Sequence, residues 1–557
     1  MSSALLLAVC GVILFIAYLL YGRYLERAWG IDENRVTPAN ALRDDVDYVP
    51  ASRPVLFGHQ FASIAGAGPI VGPIVAAMFG WVPVLLWIML GGIFMGAVQD
   101  FASLYASVRN EGKTVGVLIE RYVGKSGKIF FLIFSWLMCI LVIAFFSDLV
   151  AGTFNGLTEN GVNQAHGMAS SCSMFFVLFA VLLGLILRKF KLNPLMQTVV
   201  ALVFLVGGLT LGMNNPIFFD QSTWLLIVFA YIFVASVLPM WLLLQPRDFM
   251  NAFLLIAMLL AAMVGIFMTQ PTMNLPAFAG FEVKGQYLFP ILFVTVSCGA
   301  ISGGHAIIST GTTSKQINNE KDMKLIGFGG MLLECFLALI ALVAVGALAS
   351  ATSMPEGTPP VIFAKAVAGF LSPMGLPEDM VFSLITLAIS SFALTSLDSL
   401  ARIGRMCFQE LFTQESALGR FFSKSIVATL ITISLGGLLA MAGYQSIMPL
   451  FGSANQLIGS LCLFAVALYL KRSGKPSWML ILPMYSMLIV AFTALIIIIV
   501  KGVASLAAGQ ADFLSMGTQL IFAFLLLGVG VIVAKGCFCA SFRKPCNIGT
   551  ESNSNPE

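Results

Sequence analysis

Gly58-His59-Gln60-Phe61-Ala62-Ser63-Ile64-Ala65-Gly66-Ala67-Gly68-Pro69-Ile70-Val71-Gly72-Pro73 lies inside an apolar run, 54–79, yet it cannot continue as a plain helix. Pro69 and Pro73 each remove a backbone donor and crowd the preceding turn, and the glycines permit unwinding. The run is long enough to cross a ~30 Å hydrocarbon core. Backbone freed at that depth must be buried in protein or line a wet cavity. A second stretch has the same character: Phe293-Val294-Thr295-Val296-Ser297-Cys298-Gly299-Ala300-Ile301-Ser302-Gly303-Gly304-His305. Phe61, Ser63, Ile64, Ala65 and Gly72 align without gaps on Phe293, Thr295, Val296, Ser297 and Gly304. Two close-packed small-residue interfaces would give a similar composition. The prolines and the matched pattern favour two broken helices, the usual place of a substrate site in a two-halved transporter. This reading assigns Gly66, Ala67, Gly68, Ser297, Cys298, Gly299, Ser302 and Gly303 to substrate binding.

Composition supports a membrane setting. Of 557 residues 59% are hydrophobic and 10% charged, against about a quarter charged in soluble domains, and the mean hydropathy is +0.95. Apolar runs fall near 4–21, 54–79, 83–107, 129–152, 172–188, 196–213, 222–243, 250–269, 288–311, 324–350, 378–400, 424–442, 446–470, 477–500 and 516–535. They predict an all-α polytopic membrane protein of about fifteen transmembrane helices. The run Leu5–Leu20 lacks a basic flank and a small-residue cleavage site, and is read as a retained helix. The organisation is then a first helix over 1–21, a cytoplasmic loop over 22–53, a transporter core over 54–535 and a cytoplasmic tail over 536–557. All but three of the 30 Lys and Arg residues fall in loops of one side; Lys284, Lys365 and Lys501 are the exceptions. Basic loops mark the cytoplasm, so the N-terminus is expected outside and the C-terminus inside.

The net charge of +4 suits loops beside an anionic lipid leaflet and gives no reason to expect nucleic acid as a partner. No P-loop is present, so coupling to an ion gradient is the economical inference, and no ligand spacing calls for a metal or cofactor. Cys537, Cys539 and Cys546 in the tail lack four-ligand spacing. Ionisable groups within spans are functional candidates by default. His59 and His305 lie in the two broken stretches, and either could relay a proton; a neutral histidine bonded to a freed carbonyl is the structural alternative. Asp100 and Glu334 lie deep in their spans, and Glu334 has no basic residue near it in sequence. These four are the proton-coupling candidates. Asp398 precedes Arg402 by one helical turn, which suggests a structural ion pair. Asn455 and Gln456 offer buried amides, read mainly as bonds to another helix. An intramembrane enzyme using Ser302 with His305, or a nutrient sensor, is a remote alternative.

The same residues carry a family resemblance. Gly58 to Pro69 resembles the G-H-H-F-A-A-I-A-G-A-G-P stretch of the carbon starvation protein A family, and Val46-Asp47-Tyr48-Val49-Pro50 resembles its V-D-Y-V-P lead-in. Gly96-Ala97-Val98-Gln99-Asp100-Phe101, Cys298 to Gly303, Gly311-Thr312-Thr313, Leu397-Asp398 with Arg402 and Gly404-Arg405, and Pro449 to Gly452 with Asn455-Gln456 are similar too. The matches run in order from residue 22 to 475. The resemblance implies import of peptides, or alternatively of pyruvate, under carbon starvation. It also implies protons as co-substrate and an amino-acid/polyamine-type inverted-repeat core in a bacterial inner membrane. Two departures stand out: Gln60 replaces a histidine frequent in the family, which weakens any two-histidine role there, and the chain is shorter than the family's long members.

Overall fold

The computed structural model describes residues 2–44, 48–158, 161–190, 192–239, 241–350, 353–412, 416–441, 443–509 and 513–542. Val46 and Asp47 of the lead-in, the side chains of Cys537 and Cys539, and all of Cys546 lie outside them. Every predicted segment contains helix, although not all are helical throughout. Among the described residues eleven helices are long and apolar enough to span a membrane, or twelve when Arg53–Ile64 and Gly68–Phe79, bent by 43°, count as one span. The other three predicted segments fall short by length. Gln221–Val237 has 17 residues and Ser425–Ala440 has 16. The segment 288–311 is cut into Leu288–Thr295, Ser297–Ala300 and Gly303–Gly311.

Helix ends follow local chemistry. Ser3–Trp29 runs past its predicted end at 21 and stops at Gly30, which takes the left-handed conformation (φ 63°) that glycine adopts without a Cβ penalty. Gln221–Val237 stops short of the predicted 243 because Pro239 follows, and the residue before a proline avoids the helical region. The last helix continues to Phe542, past the predicted boundary at 535.

Burial sorts the helices into an inner and an outer set. In Glu378–Glu410 and Ser446–Arg472, 83% of the apolar window is buried, against 22% in Pro194–Asn214. Lys125–Phe154 and Lys324–Leu348 belong with the inner set. A helix apolar all round and buried is an interior helix. The outer helices present large apolar side chains such as Leu195, Leu226 and Leu482, a surface suited to lipid. The two broken stretches lie against the inner set, and their breaks face each other.

Candidate functional site

The first broken span ends its first helix at Ile64, leaves helical geometry at Ala65 (φ −77°, ψ 52°) and restarts at Gly68. Pro69 then occupies the first turn, where its missing N–H has no helical partner to lose. The second span breaks at Val296, makes one turn over Ser297–Ala300, passes through extended Ile301 and Ser302, and restarts at Gly303. Glycine sits where the breaks touch. A Cβ built on Gly68 would lie 2.5 Å from Cys298 Cβ, and one on Gly72 would lie 2.6 Å from the Thr295 carbonyl oxygen. Gly303 packs on the Asn455 carbonyl too closely for any side chain.

The backbone groups released by the second break are taken up by side chains. Asn455 Oδ1 accepts the Gly304 N–H at 3.0 Å, and its Nδ2 donates to Ser302 Oγ at 3.1 Å. Gln99 Nε2 donates to the Ser302 carbonyl, and Gln456 Nε2 to the Phe293 carbonyl at 2.8 Å. Buried backbone groups need such partners, which accounts for both amides in Asn455-Gln456. Ser302 is therefore engaged with Asn455, while His305 faces elsewhere, so the pair weighed as nucleophile and base is not formed.

Between the breaks lies a cavity of about 50 Å³, room for one or two waters at roughly 30 Å³ each. Of the eight predicted binding residues, Gly66, Gly68, Cys298 and Ser302 line it. Ala67, Ser297, Gly299 and Gly303 are packed behind that lining. The wall is completed by Ser63, Gly304, Asn455 and Ser396, with Met138, Val142, Phe146 and Phe451. Of the apolar members, Phe451 falls in the Pro449–Gly452 stretch, whereas no motif marked Met138, Val142 and Phe146, which come from Lys125–Phe154.

His305 lines the same cavity and joins it to two buried carboxylates. Its Nδ1 lies 3.0 Å from Asp100 Oδ2, and its Nε2 lies 3.4 Å from Glu334 Oε2. Asp100 and Glu334 are 0% exposed and His305 3%. Asp100 Oδ1 and both Glu334 oxygens make no hydrogen bond among the described residues. Three of the four coupling candidates thus form one row, carboxylate–imidazole–carboxylate. The fourth, His59, stands apart: its ring Nε2 is without a hydrogen bond among the described residues, and it does not border the cavity. The basic neighbour that Glu334 lacks in sequence is supplied in space by His305. No group of three or more His, Cys, Asp or Glu side chains among the described residues is arranged to hold a metal ion.

The expected pair of Asp398 with Arg402 is replaced by another. Asp398 Oδ2 takes Arg247, read from sequence as a loop residue but fully buried in Leu244–Thr269, and accepts the Tyr231 hydroxyl at 2.8 Å. Arg402 turns to the end of Gln221–Val237, donating to the carbonyls of Ala235 at 3.2 Å and Leu238 at 2.7 Å. Carbonyls in a helix's last turn lack helical partners, and Arg405 serves Ser236 in the same way.

Comparisons with known proteins agree with this architecture. The fold is shared with a crystal structure of a mutant manganese transporter from Eremococcus coleocola, at a TM-score of 0.51 and 12% identity over 87% of this chain and 94% of that one. The chain is 32% identical to the peptide transporter CstA of Escherichia coli (strain K12), over 88% of this chain and 80% of that protein. It is 31% identical to the peptide transporter CstA of Bacillus subtilis (strain 168), over 86% and 87%. It is also 31% identical to the pyruvate/proton symporter BtsT of Escherichia coli (strain K12), over 88% and 81%. The profile described as carbon starvation protein CstA matches residues 2–355 and 349–494. With the paired breaks, the cavity between them and these matches together, the chain belongs to the carbon starvation protein CstA family of bacterial multi-pass membrane transporters.

Proposed function

We propose that this protein is a secondary transporter that imports peptides across the bacterial inner membrane with protons. The observation that carries the coupling is the position of His305, with one side on the cavity and both ring nitrogens on buried carboxylates. One imidazolium cannot balance two carboxylates, and unbalanced charge is costly at that depth. The row is therefore suited to take up a further proton when the cavity is loaded and to release it toward the other side. We read the chain as about fifteen spans around an inverted-repeat core. The first broken span and the Asp100 helix belong to one half, the second broken span and the Glu334 helix to the other. The distribution of basic loops supports an outside N-terminus and a cytoplasmic C-terminus.

Pyruvate is the second reading, supported by the 31% identity to a relative named as a pyruvate/proton symporter. Purified protein in proteoliposomes with an imposed pH gradient, offered labelled dipeptides and labelled pyruvate separately, distinguishes the two. Glu334→Gln in the same vesicles is expected to abolish accumulation against a gradient while keeping counterflow exchange. Undiminished accumulation by that variant would move the coupling site elsewhere.

A further inference from the structure

The helices that carry Asp100 and Glu334 share a feature that an ordinary span lacks. The first is Trp81–Gly91 followed by a π-turn, Gly92–Gly96, and then Ala97–Arg109 with Asp100 in its first turn. The second begins with a π-turn, Lys324–Gly329, and continues as Gly330–Leu348 with Glu334 about one turn in. In a π-turn the hydrogen bonds run to the fifth residue, so one extra residue is held in the turn; such turns are rare and cluster at functional sites. Here two of them end four and five residues before two carboxylates that share one histidine.

The two helices pack antiparallel, because contacts climb one chain as they descend the other: Gly92 meets Cys335, Gly96 meets Met331, and Gly327 meets Asp100 and Phe101. Each π-turn is consequently level with the other helix's carboxylate or its immediate neighbour. The fit is tight. A Cβ on Gly327 would lie 3.0 Å from Phe101 Cα and 3.3 Å from the Asp100 carbonyl carbon. One on Gly92 would collide with the Cys335 thiol, and one on Gly96 with the Ala300 carbonyl at the second break. If either π-turn tightened to an α-turn, the loss of one residue would rotate the flanking segments by about 100° relative to each other. That rotation would carry the attached carboxylate off the imidazole without unfolding the helix.

We propose that Gly92 and Gly327 are positioning residues of the coupling site. Through them the paired π-turns hold Asp100 and Glu334 on the two ring nitrogens of His305 and let each be drawn away. The proposal rests on the reading of Asp100–His305–Glu334 as the proton site. The titratable groups around the imidazole are those two carboxylates, with the Cys298 thiol on the cavity side and Cys335 beside Glu334.

Gly327→Ala and Gly92→Ala, each reconstituted as the full chain, test it. Each is expected to displace the half-maximal pH of gradient-driven uptake by about 0.5 unit or more, a roughly threefold change in proton affinity. Each should also cut accumulation about tenfold while leaving the KM for counterflow exchange within about twofold of wild type. Gly437→Ala is the control, since its added methyl makes only ordinary contacts with Phe229. If Gly327→Ala does not fold, Gly92→Ala carries the test, because its methyl meets only a rotatable thiol. Glu334→Gln and Asp100→Asn are measured alongside. If both acid variants still accumulate substrate, the coupling reading itself is wrong. If they fail to accumulate while the glycine variants keep the wild-type pH profile and accumulation, the positioning role is overturned and the coupling site stands.

Discussion

Two groups of ionisable side chains lie out of reach of solvent in this protein, and they are built in opposite ways. In the row Asp100–His305–Glu334 two carboxylates face one imidazole, three of their four oxygens lack a hydrogen bond among the described residues, and the imidazole borders a cavity. In the second group Asp398 faces Arg247 and the Tyr231 hydroxyl, Asp248 lies 3.7 Å from the same guanidinium, and the cavity between the breaks is lined by none of them. One and two turns before Asp398 in its helix, Thr395 and Ser391 meet Asn251 of Leu244–Thr269, which donates to the first and accepts from the second, each at 2.6 Å, continuing the polar contact between the two helices. A guanidinium stays charged under all conditions a cell offers, so the Arg247 pair has no proton to trade. An imidazole can give its proton up. The central carboxylates are fully buried in both groups; the proposed coupling site and the structural pair differ in the chemistry of the basic partner.

The largest expected effect tests that separation. Asp398→Asn takes from the buried Arg247 guanidinium its nearest counter-charge and leaves only Asp248, 3.7 Å away and partly exposed; breaking a buried pair costs about 3–5 kcal/mol in comparable cases. Little folded protein is expected in the membrane. Glu334→Gln, which removes a charge rather than stranding one, is expected near wild-type amounts, with transport altered. Replacing both members of the pair, Arg247→Met with Asp398→Leu, is expected to recover much of the folded protein, since apolar residues of similar size substitute well for a buried ion pair. The comparison breaks if Asp398→Asn accumulates at wild-type levels and loses only gradient-driven uptake. Quantitative immunoblotting of membranes, with thermal unfolding in detergent, reads the outcome.

The next effect lies where the breaks touch. Gly68→Ala adds a Cβ that would lie 2.5 Å from Cys298 Cβ, and overpacking of this kind costs about 1–3 kcal/mol. Pushing the breaks apart disturbs the cavity itself, so uptake and counterflow are both expected to fall, by about tenfold or more, and Gly68→Leu should abolish them. That pattern differs from Glu334→Gln, which spares counterflow. Cys298→Gly in the Gly68→Ala background removes the obstructing side chain and is expected to restore part of the exchange. Wild-type exchange by Gly68→Ala alone would detach these glycines from the substrate path.

What the sequence made legible was local. Pro69 and the glycines around 66–72 and 299–304 announce both breaks, because proline and glycine act on their own turn of chain; Pro73, expected to interrupt the span too, is carried inside the restarted helix Gly68–Ala76. The lining of the cavity was half legible for the same reason: Gly66, Gly68, Cys298 and Ser302 belong to the breaks, whereas Met138, Val142 and Phe146 are ordinary apolar residues brought in by packing. The row could be named only as separate residues, since Asp100 and His305 are 205 positions apart and meet through tertiary structure. Arg247 was misplaced because Gln245, Pro246 and Asp248 surround it and resemble a loop, while Leu244–Thr269 in fact begins just before them. The i, i+4 spacing of Asp398 and Arg402 was a sound local argument that lost to a longer-range competitor. Arg402 found helix-end carbonyls, and Asp398 found a buried guanidinium.

The smallest effect examines that exchange of partners. The Arg402 guanidinium donates to two carbonyls at the end of Gln221–Val237, and the side chain is only partly buried. Removing it in Arg402→Ala costs two hydrogen bonds, each worth about 0.5–1.5 kcal/mol net, and leaves carbonyls at a helix terminus. A modest fall in thermal stability is expected, with gradient-driven uptake and its pH profile unchanged. Arg247→Ala, measured in parallel, deprives Asp398 of its cation and is expected to destabilise far more, because a carboxylate is then left buried alone. The ratio of the two effects is the informative quantity. Were Arg402 the true counter-charge of Asp398, the order would reverse: Arg402→Ala would match Asp398→Asn in its loss of folded protein, and Arg247→Ala would be the mild variant.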